Sequence, residues 1–506
     1  MELISLDHLM EGLSVLADPK VHLFLLIGAV VGMIFGAAPG LTAPAGVALF
    51  LPLTYEMGLN TSMALLLGIY ASGYFAGSIP AILINTPGTP GNAATALDGF
   101  EMAKRGQGNR AISLAVVSSF VGGLFSLLLL STVAPTLARV ALSFTSVEYF
   151  SVALLGIVCV AGISEGSLSK GIAAALIGVL VSTVGLDRIS GVQRFTFGEP
   201  NLLGGIPIIP ALIGLFAISE MLGRAKRQAA RETVLPADEP APILSVLADM
   251  MRNKWLALKS AAIGTFIGLL PGTGPAIASW VSYSDALRTA KPEDRYGKGE
   301  VKGVISCEVA NNSVTGGAMI PLLTLGIPGD PVTAILIGAL MIQGIEPGPF
   351  FMTQQTALFV SILFLLFVSN CWMVALGLSA RQLAAKVVRI PASILVPTIT
   401  VMAAAGAFAI NNNPFDVMLT ILFGILGYLL VQYRFPIAAV VLGIVLGPIL
   451  EVNLRNALIG SDMDFTVFVT RPISAVTLAA MLVLIFVWSR RSKGVAKARG
   501  GATART

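Results

Sequence analysis

Four places in this chain set proline, glycine and small polar residues into sequence that is otherwise apolar. They read Pro39-Gly40-Leu41-Thr42, Asn85-Thr86-Pro87-Gly88-Thr89-Pro90-Gly91-Asn92, Pro271-Gly272-Thr273-Gly274 and Gly326-Ile327-Pro328-Gly329-Asp330, the last preceded by Asn311-Asn312-Ser313 and Thr315. Proline removes a backbone donor and glycine loosens the helix beside it, so each pair interrupts a helix in mid-run. In an apolar solvent the freed N–H and C=O groups are tolerated where protein buries them or they line a polar cavity, and there they can hold a ligand. Helix N-termini opened this way offer donors and a positive dipole end to a carboxylate, whereas freed carbonyls and hydroxyls suit a sodium ion. The anion-binding candidates are Pro39, Gly40, Thr42, Asn85, Thr86, Gly88, Thr89, Gly272, Thr273, Gly274, Asn312, Ser313 and Gly329. Glu308 and Asp330 are the acids nearest the breaks, and with Asn311 and Thr315 they are the candidates for coupling a cation or carrying a proton. No Arg or Lys lies within the broken elements, so backbone N–H, Asn and Thr groups are expected to hold the anion.

Catalytic alternatives fail on their own residues. Gly162-Ile163-Ser164-Glu165-Gly166 matches a nucleophile elbow, but the two histidines, His8 and His22, lie near the N-terminus and no strand precedes Ser164. The same scarcity argues against a zinc protease, and no Gly-x4-Gly-Lys motif offers an ATP site. Cys159, Cys307 and Cys371 have no paired spacing and read as small buried hydrophobes. No cofactor is expected beyond sodium as a coupling ion, and energy must come from an ion gradient or a separate ATPase.

The elements that position the breaks belong in lipid. Of 506 residues 55% are hydrophobic and only 12% charged, and the mean hydropathy of +0.86 lies far outside the range of a soluble domain. Spanning runs recur from Val21 to Trp488, a helical pattern rather than the alternation of a barrel. The first run follows an acidic leader and leads into Pro39, so a cleaved signal peptide is not expected. The net charge of +5 gathers in loops beside apolar runs, which fits membrane orientation better than nucleic acid. Basic clusters near Lys104, Arg224, Arg288 and Arg381 and from Arg490 onward mark the cytoplasmic side. The acidic leader, the Glu56 turn, and the loops with Glu346, Asp416 and Asp462 mark the outside.

Between these sets, crossings are expected at 61–104, 111–136, 147–163, 170–186, 205–222, 303–350, 354–379, 393–411, 415–432, 435–451 and 470–488. The stretches 21–53 and 256–284 begin and end on one side, so they are expected to be re-entrant hairpins. Gly32-x3-Gly36-x2-Pro39-Gly40 recurs as Gly264-x3-Gly268-x2-Pro271-Gly272, offset by 232 residues. Ile79-Pro80-x4-Asn85 through Pro90 recurs as Ile320-Pro321-x4-Gly326 through Pro331, offset by 241, with Ser72 on Ser313. Taken singly, a Gly-x3-Gly only lets helices approach closely; four breaks repeated in order favour a site. Five crossings precede the second half, so it enters the membrane upside down. The expected fold is an all-α polytopic membrane protein of two inverted-topology repeats, each a re-entrant hairpin and a broken transmembrane helix, the architecture of secondary transporters. Its parts are a periplasmic amphipathic leader (1–20), a first repeat (21–222), a cytoplasmic linker (223–259), a second repeat (260–451), an extra C-terminal helix (452–489) and a basic cytoplasmic tail (490–506).

The string from Gly77 to Ala96, with Pro39-Gly40-Leu41, Pro271-Gly272-Thr273-Gly274 and Ile327-Pro328-Gly329-Asp330-Pro331, resembles the large membrane subunit of the tripartite tricarboxylate transporters, the TctA family, over nearly the whole chain. The resemblance implies import of citrate-like or other di- and tricarboxylates across a bacterial inner membrane by sodium or proton symport. It also implies two partners, a small TctB-like membrane subunit and a periplasmic TctC-like solute-binding protein. The competing classes are a permease that works alone, an ion channel, which needs only one gate, and a membrane hydrolase, for which no catalytic set can be assembled.

Overall fold

The computed structural model of the chain describes residues 5–38, 40–162, 168–226, 242–272, 274–379 and 391–486. Pro39, Thr273, the serine of the Gly-x-Ser-x-Gly match, residues 227–241 of the charged linker, the basic cluster around Arg381 and the basic tail lie outside the described residues. The regular secondary structure among the described residues is helical apart from one two-stranded antiparallel ladder, which pairs Gly185 with Arg194 and Leu186 with Gln193. Among them, eight helices are long and apolar enough to cross a membrane: Pro19–Ala37, Leu59–Ile84, Gly108–Ala141, Ile208–Lys226, Thr356–Ser379, Ser393–Asn411, Pro414–Gln432 and Ile437–Gly460. Shorter apolar helices run over Ser146–Val160, Leu168–Ser182, Pro331–Ile342 and Pro472–Phe486. The chain is a polytopic helical membrane protein.

Two helices form the centre. Leu59–Ile84 is buried along its whole apolar window, and Val301–Leu325 is buried from Gly303 to Thr324. The second carries Glu308, Asn311, Asn312 and Ser313, side chains that hydrocarbon does not solvate, and the surrounding helices keep it from lipid. Ser393–Asn411, nearly all apolar, is only 22% buried and lies at the periphery.

The two expected hairpins are helix-turn-helix units. Pro19–Ala37 is followed by the eight-residue helix Ala43–Phe50, and Lys254–Leu269 by Gly274–Arg288. The expected segment 256–284 thus extends at both ends, and its first helix starts inside the linker expected at 223–259. Each first arm lies on a central helix with no side chain between the two backbones. A Cβ added at Gly32 would come within 2.6 Å of the Ile69 carbonyl oxygen, and one at Gly264 within 2.8 Å of Ala310 Cα. A Cβ on Gly36 would meet Gly77 N at 3.1 Å, and one on Gly268 would meet Ala318 N at 2.9 Å. A Cβ on Gly88 would meet Gly77 Cα at 2.8 Å, and one on Gly329 would meet Ala318 Cα at 2.6 Å. Each second contact is the first one shifted by the sequence offsets, so the duplication read from the motifs is a duplication of packing.

The crossing expected at 170–186 is helical only to Ser182, and its last two residues, Gly185–Leu186, pair instead with Gln193–Arg194 in the loop that follows. Arg194 forms an ion pair with Glu451, Arg455 with Asp187 at 2.6 Å, and Asp187 also accepts from Ile189 N and Ser190 N at 2.8 Å. The N–H donors of Ser190 and Ile189, followed by Arg455, hold the Asp187 carboxyl well below the usual carboxylate range. A cavity of about 290 Å³ opens beside this network.

Candidate functional site

Both breaks end their first helix in the same way. Asn85 (φ 56°, ψ 26°) and Gly326 (φ 70°, ψ 19°) are left-handed C-caps, the conformation that glycine and asparagine tolerate best. Thr86 N donates to the Pro80 carbonyl at 3.3 Å and Ile327 N to the Pro321 carbonyl at 3.2 Å. Both then restart from an extended N-cap followed by proline, at Thr89-Pro90 and Asp330-Pro331. The restarts differ in chemistry. Asp330 caps Pro331–Ile342 itself, accepting from Thr333 N at 2.7 Å and Thr333 Oγ1 at 2.8 Å. Thr89 instead donates to Asn92 Oδ1 at 2.5 Å and leaves the backbone of its short turn without a side-chain cap.

Each break is touched by the central helix of the other half. Tyr70 and Tyr74 donate to Asp330 Oδ2 at 2.6 and 2.8 Å. Asn92 Nδ2 and Thr95 Oγ1 donate to Glu308 Oε1 at 3.1 and 2.5 Å, and Ser119 Oγ donates to Oε2 at 3.1 Å. Asn311, which stands 241 residues after Tyr70, donates to the Tyr74 carbonyl at 3.1 Å and approaches Gly91 of the first break. The same contact between halves is therefore built twice, once with the acid on the break and once with the acid on the helix.

The hairpin turns carry the expected glycines in positive φ: Gly40 at 79°, Gly272 at 72° and Gly274 at 62°. Thr42 caps the helix after the first turn by accepting from Ala45 N at 3.4 Å. The second turn, Gly272, lies against Val160 and Leu442, whereas Gly40 faces Arg224, whose guanidinium would be 3.8 Å from an added Cβ. In the first half Asn85 is exposed and Gly40, Thr42, Thr86 and Pro87 are half-buried, with Gly88 and Thr89 covered. In the second half Gly272, Gly274 and every residue from Gly326 to Asp330 are buried. Three other candidates turn elsewhere. Asn312 donates to Met373 Sδ, Ser313 to the Gly122 and Val309 carbonyls, and Thr315 to the Asn312 carbonyl of its own helix.

The Tripartite tricarboxylate transporter TctA family matches residues 23–442, a span that includes both hairpin turns and both breaks. The chain belongs to that family. It is 38% identical over 496 residues, 97% of this chain and 98% of the relative, to an uncharacterised 52.8 kDa protein in the TAR-I ttuC' 3' region of Agrobacterium vitis. A second Agrobacterium vitis protein, in the TAR-II ttuC' 3' region, is 45% identical over 224 residues, 44% of this chain and 93% of the relative. No solved structure matches. As a TctA-family chain this is a membrane component of a transport system.

Several residues at this TctA-family site escaped the motif reading. Tyr70 and Tyr74 were legible only as an i, i+4 pair on an apolar helix, a spacing that puts both hydroxyls on one face. Asn92 stood in the motif without a role, and Thr95 and Ser119 carried no signal in linear sequence. Arg224 was read only as a marker of membrane side, yet the fold brings it to the first hairpin turn.

Proposed function

We propose that this chain imports small di- or tricarboxylates by cation symport, through alternating access of two inverted halves around the paired breaks. The observation that carries this is the asymmetry within a duplicated site: equivalent motifs share backbone geometry, but the first lies partly open and the second is closed over. Two inverted halves that exchange these roles give a molecule two states, open to either side, around one site. The two hairpins are re-entrant and enter from opposite faces. Arg224, in a basic cluster assigned to the cytoplasm, stands at the first hairpin turn, so the state described here opens inward.

In this proposal the substrate carboxylates meet the first break, where Asn85, Thr86 and the uncapped turn after Thr89 offer donors, together with Gly40 and Thr42 at the hairpin turn. Gly88, Gly274 and Gly329 shape the turns, and Glu308, Asn311, Thr315 and Asp330 are the pool from which the coupling-cation site is drawn. The chain works in a bacterial inner membrane, N-terminus outside, with a small membrane subunit and a periplasmic solute-binding protein.

Uptake of labelled di- and tricarboxylates into proteoliposomes, with and without those partners and with sodium and proton gradients imposed separately, tests the proposal. Saturable uptake that accumulates against a gradient is expected. Uptake without partners would leave a stand-alone permease, and non-saturating downhill flux would leave a channel.

A further inference from the structure

The two acids at the contacts between halves are filled differently. Asp330 receives two donors on each oxygen, Tyr70 and Tyr74 on Oδ2 and the Thr333 N–H and hydroxyl on Oδ1. A carboxylate offers about four lone-pair positions, so Asp330 is complete without a ligand. Glu308 is held, among the described residues, by side chains alone: Asn92 and Thr95 on Oε1, Ser119 on Oε2, and the Asn311 side chain beside them.

One turn further along the helix stand Asn311 and Asn312, at i+3 and i+4 on the same face. Both are fully buried, and the side-chain carbonyl oxygen of each has no hydrogen-bond partner. The Asn311 amide nitrogen is committed to the Tyr74 carbonyl, which turns its oxygen toward the first break, where a Cβ on Gly91 would lie 2.6 Å away. An unsatisfied buried acceptor at Asn311, beside a carboxylate that no basic side chain among the described residues neutralises, is an arrangement a native fold keeps for a reason. Among the described residues no three His, Cys, Asp or Glu side chains gather, so the available ligands are neutral oxygens around one acid. That set suits a hard cation of low charge rather than a transition metal.

We propose that Glu308 and the Asn311 carbonyl, with the hydroxyls of Thr95 and Ser119, seat a monovalent cation of the sodium class, and that Asp330 is a structural tie rather than a second seat. Hydroxyls rotate, so Thr95 and Ser119 can turn a lone pair to the ion as it enters. Thr95 follows the first break and Glu308 lies on the second half's helix, so the ion joins the halves. This rests on the symport proposal above and names its cation site.

The test is equilibrium binding of radiolabelled sodium to the purified full-length chain without carboxylate. Saturable binding displaced by unlabelled sodium and not by choline is expected, weakened by at least about tenfold in Glu308→Gln. Ser119→Ala is expected to weaken it less, and Asp330→Asn to leave it near wild type. Should Asp330→Asn fail to fold, Tyr70→Phe removes one tie and is expected to bind sodium normally. Undiminished binding in a folded Glu308→Gln, or a folded Asp330→Asn or Tyr70→Phe that loses sodium as Glu308→Gln does, overturns the assignment. Wild type without saturable binding, but with carboxylate uptake driven by a proton gradient, overturns the sodium site while leaving the transport proposal standing.

Discussion

Asn85 and Gly326 occupy equivalent left-handed positions, but only one of them has a side chain. Glycine at 85 preserves the turn, whereas alanine adds left-handed strain of about 1 kcal/mol. If the exposed Asn85 amide helps to bind the anion, Asn85→Gly loses uptake at an unchanged melting temperature, and Asn85→Ala loses both. Normal uptake in Asn85→Gly would reduce Asn85 to a turn former. Asp187 gives a second test at this scale. Its folded-state pKa is depressed, by the Ser190 and Ile189 N–H groups first and then by Arg455. Its contribution is therefore present above its unfolded value of about 4 and is lost as pH falls through the folded one. Asp187→Asn should lower the melting temperature at neutral pH and flatten the acid-side decline, read by thermal unfolding across pH.

Among the elements, the glycine seams make the sharpest prediction. Gly88→Ala and Gly329→Ala each drive a methyl into a neighbouring backbone, which cannot rotate away, and should destabilise by about 1–3 kcal/mol. Gly223→Ala, in open space on the helix Ile208–Lys226, should be neutral or stabilising by up to about 1 kcal/mol. Thermal melting of the detergent-purified variants checks all three, and a Gly88→Ala protein as stable as Gly223→Ala would mean that the seam is loose. These seams were legible beforehand because Gly32-x3-Gly36 and Gly264-x3-Gly268 repeat in linear sequence. The partners of Glu308 were not, since Asn92, Thr95 and Ser119 lie on other segments and only tertiary packing assembles them. The ladder at Gly185–Leu186 was hidden for a different reason: two residues per strand are too few for alternation to show.

For the whole molecule, the proposed inversion assigns each hairpin turn to its own compartment. In a chain lacking Cys159, Cys307 and Cys371, Thr42→Cys should react with an impermeant maleimide from the cytoplasmic side, while a cysteine at the buried Pro275 should stay protected. Labelling of both from one face would remove the inversion. The backbone-to-backbone seams carry a last mechanical consequence. Gly36 packs so closely on Gly77, and Gly268 on Ala318, that not even a methyl group fits between the backbones, and each arm and its central helix are expected to travel as one rigid beam. A covalent staple across either seam would then go unnoticed by the working protein. One that pinned Gly272 to Val160, where the beam meets a neighbouring helix, would freeze it in place.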